Sequence, residues 1–199
     1  MSFRSRIATI ATACTLFLAI PAAAIACACC ASTGQRFVET GKASDYDADQ
    51  LNRIMFDGKA ELLTGEAEPG DIRGLTATET EYVLDVTRQA AGWTFTFKTG
   101  GAIAGTLSFS PEKLAKFEVD TRLTEPPAGG MVTLYKEWKQ TAAVTGTGMF
   151  KLPEGSSLSL ILQGSGNSCT SAEDFKTWSL VVQGNGFSFL FFSKLAQSK

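Results

Sequence analysis

From Lys59 onward, apolar and polar residues alternate with a period of two, and that pattern suits a strand with one buried face. Tyr82, Leu84 and Val86 share one face of Glu79 to Thr87, and Trp93, Phe95 and Phe97 share one face of the next run. Gln89 to Gly92 lies between them as a turn, so the two runs read as a hairpin. Thr99-Gly100-Gly101 turns the chain again into Gly105 to Phe109, which Pro111 ends. Phe117 and Val119 suggest a further short strand. After the Pro/Gly-rich loop of residues 121–130, strands resume with the same character at Met131 to Trp138, Ala142 to Lys151 and Ser157 to Gln163. Trp178 to Gln183 pairs with Phe187 to Phe192 across Gly184-Asn185-Gly186 as a last hairpin.

Hairpins with no helix between them make an antiparallel sheet. The expected fold is all-β, a single-domain β-barrel or β-sandwich of about nine to eleven strands, because a sheet this large must protect its edges. Periodicity does not separate barrel from sandwich. One short helix is expected ahead of the strands, from Ala48 to Phe56, where Leu51, Ile54 and Met55 fall at helical spacing and Gly58 marks the stop. The Asp45/Asp47/Asp49 alternation resembles the opening of a calcium loop but lacks its glycine and distal glutamate, so helix capping is the preferred reading. Ala31 to Thr40 carries no clear signal. The rings on both faces of Phe187 to Phe192 call for a cover on one side, and the helix is the candidate.

Residues 1–26 have Arg4 and Arg6, an apolar run from Ile7 to Ile20, a break at Pro21 and small residues at Ala24-Ile25-Ala26, the pattern of a secretory signal peptide. Removal after Ala26 leaves residues 27–199 as one domain beginning at Cys27. It takes away two of the 18 basic residues and none of the 20 acidic ones, for a balance of −4. Mild acidity without a run of like charge argues against nucleic acid as a partner, and no second apolar run suggests an integral span. Exported context, periplasmic or extracellular, permits disulfides.

Cysteines are the principal chemical resource. Cys27, Cys29 and Cys30 cluster at the expected N-terminus, and Cys169 stands alone downstream. Four cysteines allow three complete pairings, and a bond from the cluster to Cys169 is the main expectation. Such a link closes a loop of about 140 residues, nominally worth about 5 kcal/mol on the chain-entropy model. As thiolates, Cys27, Cys29 and Cys30 also suit a soft ion, Cu(I) or zinc. Ala24-Ile25-Ala26-Cys27 resembles a lipoprotein lipobox apart from Ala24, which makes Cys27 a lipidation candidate. No other cofactor is expected.

Histidine is absent, which removes Ser-His-Asp and Cys-His catalysis and His-ligated zinc. No catalytic motif is readable, and a non-enzymatic binding or structural role follows as the expectation. Thr170-Ser171-Ala172-Glu173 matches a capping box, and a helix starting there would stabilise a Cys169 thiolate, the basis of a thiol-redox alternative. Glu173 with Asp174, and Glu118 with Asp120, read as solvated acid pairs. An apolar interior could hold a small apolar ligand, as lipocalin-like barrels do, against the alternative that side chains fill it.

Overall fold

The computed structural model describes residues 36–65, 72–73, 75–77, 79–89, 91–121, 133–167 and 169–197. The expected signal segment, Cys27, Cys29, Cys30 and most of the 121–130 loop lie outside the described residues. Along the chain run β1 (Arg36–Gly41), α1 (Asp45–Arg53), β2 (Lys59–Leu63), β3 (Glu81–Gln89), β4 (Gly92–Thr99), β5 (Ala102–Phe109), β6 (Lys113–Asp120), β7 (Leu134–Gly148), β8 (Ser157–Gly166), β9 (Phe175–Gly184) and β10 (Phe187–Lys194), with a 3-10 turn at Ala172–Asp174 before β9.

All pairings are antiparallel, in the order β1-β6-β7-β5-β4-β3-β2-β10-β9-β8, and β8 also pairs with β7. The hydrogen bonds therefore form a closed circuit of eight strands from β7 round to β8, with β6 and β1 continuing off the first half of β7. Its length makes this possible. Along β7, residues 134–141 pair with β6 and 144–148 with β5 on one side, while 134–143 pair with β8 on the other.

Inward positions alternate as the sequence pattern requires, and aromatic rings fill the inside. Phe97 stacks on Phe191 with centroids 4.1 Å apart, and Phe150 and Tyr82 meet that pair edge-on. Toward the other end, Trp93, Phe95, Phe109 and Trp178 form a second group, closed by Phe56 just after α1. Helix α1 thus plugs one end of the closed sheet rather than covering the outer face of β10. Arg88 holds it there. Its guanidinium donates to the carbonyls of Asn52 and Ile54 at the helix C-terminus and lies 4.6 Å from the Trp93 ring centroid.

Several boundaries differ from the sequence expectation. The helix begins three residues before Ala48 because Ser44 caps it: Asp47 N-H donates to Ser44 Oγ at 3.1 Å and Asp47 Oδ2 accepts the Ser44 N-H at 3.1 Å. It ends before Phe56 because Ile54, with ψ 127°, leaves helical geometry. Leu51 and Ile54 are buried, whereas Met55 is half exposed. The two runs expected at Met131 to Trp138 and Ala142 to Lys151 are joined over Leu134–Gly148 in the single strand β7, since Lys139, Gln140 and Thr141 keep the alternation through the supposed break. The unassigned stretch Ala31 to Thr40 overlaps β1, which is exposed throughout and has no burial period to read.

Just beyond β7 the chain folds back over Gly146, near the end of that strand, where an added Cβ would stand 1.7 Å from the Phe150 carbonyl oxygen. Backbone cannot yield cheaply to that contact. Gly146→Ala should lower stability by about 2 to 3 kcal/mol in urea unfolding. Gly41→Ala, with nothing within 4 Å of the new Cβ, is the silent comparison.

Candidate functional site

Beneath α1, the inner face of β6 and β7 changes from apolar to charged. The row Phe37, Glu118, Lys136, Gly164 crosses β1, β6, β7 and β8, and the neighbouring row brings Glu39 opposite Lys116. Lys136 is fully buried. Its Nζ donates to Asp174 Oδ2 and to Thr170 Oγ1, each at 2.9 Å, and stands 3.9 Å from Glu118 Oε1. Thr170 Oγ1 in turn donates to Glu118 Oε1 at 2.5 Å.

Neighbouring elements fix this arrangement. Asp174 Oδ2 accepts the Ser171 N-H at 3.0 Å, and the buried Gln50 of α1 accepts the Ala172 N-H at 2.9 Å. Tyr46 Oη donates to the Thr170 carbonyl at 2.8 Å. Glycine makes the room. A Cβ at Gly164 would lie 2.0 Å from the Asp174 carbonyl oxygen, and one at Gly166 would lie 2.2 Å from Asp174 Oδ1. Two bare positions on β8 therefore let the 3-10 turn settle onto the sheet with its carboxylate over Lys136.

A second ion-paired group adjoins it. Lys116 Nζ lies 2.8 Å from Glu39 Oε2 and 3.2 Å from Asp47 Oδ2. Burial alone would raise the Asp47 carboxyl, but the Ser44 hydrogen bonds and Lys116 outweigh it and hold it below the ordinary value. Burial would likewise lower Lys116, and hydrogen bonds and charge from Glu39 and Asp47 hold it above. The two signs set two pH limits. Asp47 contributes stability that is present above the unfolded carboxyl value of about 4 and is lost as pH falls through its lower folded value. Lys116 contributes stability that is complete below the unfolded lysine value of about 10.4 and is lost as pH rises through its higher folded value. Asp47→Asn should therefore flatten the acid limb of a stability-against-pH curve measured by urea unfolding.

Sequence reasoning missed Lys136, which sits in an alternating run where an inward lysine carries no special signal. The acids it set aside as solvated are not: Asp120 is buried, and Glu118 and Asp174 are mostly buried against Lys136. Glu173 alone keeps the surface position expected of it, at the rim of a cleft. The capping pattern is shifted by one residue, to Ser171 and Asp174, and it starts a 3-10 turn of three residues. Cys169 itself is exposed, one residue before Thr170, and its N-H donates to Asn167 Oδ1 at 2.8 Å.

Beside this group a cleft of about 440 Å3 opens between α1, the 3-10 turn and the last residues, lined by Tyr46, Gln50, Ile54, Met55, Ala172 and Leu195 among others. Among the described residues, no cluster of three or more Cys, Asp or Glu has the arrangement of a metal site, and no helix is long and apolar enough to cross a membrane. No protein-family model, curated protein or solved structure matches the chain.

Proposed function

We propose that the chain is an exported, non-enzymatic β domain with a binding or structural role, periplasmic or extracellular, that starts at Cys27 after loss of residues 1–26. Its cluster Cys27, Cys29 and Cys30 is tied to Cys169 by disulfide. One observation supports the staple above all. Arg36 pairs with Val119, Val119 with Tyr135 and Tyr135 with Ser165, so the start of β1 and the loop carrying Cys169 lie at the same end of the sheet. Three strand spacings separate them laterally, about 14 Å. Six residues from Cys30 to Arg36 can span up to about 20 Å when extended, which covers that gap. A bond there would fasten the edge strand β1 and the turn holding Asp174 to the same point. For a binding role, a small ligand with apolar surface suits the cleft beside α1, where Ile54, Met55 and Leu195 form a wall and Tyr46 and Gln50 offer polar groups.

The test is the intact mass of natively purified protein with and without thiol alkylation. A chain beginning at unmodified Cys27 that takes up alkylating reagent only after reduction is the expected result. Four thiols that alkylate without reduction would overturn the staple, retained copper or zinc would favour a soft-metal role for the cluster, and a diacylglycerol mass would make Cys27 a lipid anchor.

A further inference from the structure

The charged group around Lys136 has the parts of a self-forming covalent cross-link, a modification independent of the cysteines. An amine that no water reaches, a carboxylate held against it and a second carboxylate linked to the amine through a hydroxyl occur together. We infer that Lys136 Nζ and Asp174 Cγ join in an amide bond, with Glu118 as the proton carrier and Thr170 as the relay.

Geometry carries the inference. Asp174 is presented to Lys136 at 2.9 Å by the Ser171 N-H and by the absence of a side chain at Gly166, so the carboxylate has little freedom to turn away. Glu118 is the direct cross-strand partner of Lys136, on the opposite flank from Asp174. Thr170 Oγ1 lies within hydrogen-bond reach of both Nζ and Glu118 Oε1, which gives a proton a path from amine to carboxylate. Trp138, two residues beyond Lys136 on the same buried face of β7, meets Phe175, the residue after Asp174, with ring centroids 5.1 Å apart.

The step balances without any further reactant. A proton passes from the Lys136 ammonium through Thr170 to Glu118, and the freed Nζ lone pair attacks Asp174 Cγ. Glu118 returns its proton to an Asp174 oxygen, a second proton leaves the nitrogen for the same oxygen, and the C-O bond breaks to release water. Ammonium and carboxylate become a neutral amide and one water, and Glu118 ends as it began. Thermodynamics favours that direction in a buried place. An ion pair out of water carries a desolvation penalty on both charges, and the amide has neither charge. Fixed neighbours also replace the encounter of two free groups, a large effect in intramolecular reactions.

Mass spectrometry on the reduced, alkylated full chain decides it. The wild-type protein is expected about 18 Da below the mass of its sequence, the water lost. Digestion with trypsin should leave Lys136 uncleaved, in a peptide of residues 123–139 joined to residues 152–176. Glu118→Gln keeps the shape of the side chain and removes its basicity, and it should return to full mass with Lys136 cleaved. Wild-type protein at full mass with cleavage at Lys136 overturns the inference. So does a loss of the same size that maps elsewhere, for example to Asp57-Gly58, where an aspartate can close on its own backbone. A bond that forms to the same extent in Glu118→Gln overturns the part given to Glu118. Because the amide survives reduction, this result stands apart from the fate of the disulfide.

Discussion

Replacing Phe191 by alanine should lower the unfolding free energy by about 3 to 5 kcal/mol, among the largest losses any single side chain in this fold can produce. The ring is completely buried. It stacks on Phe97 at 4.1 Å and meets Phe150, Tyr82 and Phe189 edge-on at 5.2 to 6.0 Å, so its removal opens a cavity whose walls come from strands on different sides of the closed sheet. Rigid neighbours cannot collapse into such a gap, and the lost contacts are not regained. Leu190, one position away on the outward face and only partly buried, is the matched comparison and should cost clearly less when cut to alanine. Urea unfolding at equilibrium measures both. Equal and small losses would mean that Phe191 is not at the centre of the core.

Asp174→Ala should cost about 3 kcal/mol, because it leaves the buried Lys136 as a charge without the carboxylate nearest to it. Lys136 would keep only Glu118 at 3.9 Å and the Thr170 hydroxyl, and the Ser171 N-H would lose its acceptor. Taking away the lysine charge as well should recover part of the loss, so Lys136→Met with Asp174→Ala is expected to be more stable than Asp174→Ala alone. The same comparison holds whether the two groups are paired as ions or joined as an amide. A double variant no better than the single one would contradict the view that the buried charge sets the cost.

Alternation made the strands legible because each has one face against the core, and Trp93, Phe95 and Phe97 or Phe187, Phe189 and Phe191 state that face outright. Turns were equally plain where glycine is needed, as at Gly100 and Gly186, both of which have positive φ. Where one face is not buried the signal vanishes, and β1 was invisible for that reason. Continuity failed at β7 because Gln140 is buried yet polar, so the alternation of residue type faded while the alternation of burial did not. Closure of the sheet depends on β7 serving two neighbours along one edge, a fact about its length that no local pattern records. The site was the least legible part. Lys136, Glu118 and Asp174 are 18 to 56 residues apart in sequence, and their meeting depends on Gly164 and Gly166, whose role is to be empty.

The staple proposed for this chain depends on the N-terminal cysteines reaching the loop before the 3-10 turn, and a peptide map of the unreduced protein shows whether they do. Trypsin places Cys27, Cys29 and Cys30 in one peptide ending at Arg36 and Cys169 in the peptide of residues 152–176. The account predicts that these two peptides travel together until a reductant separates them. Cys169 recovered alone, alkylated without reduction, with the three N-terminal cysteines linked among themselves or holding a metal, would contradict it.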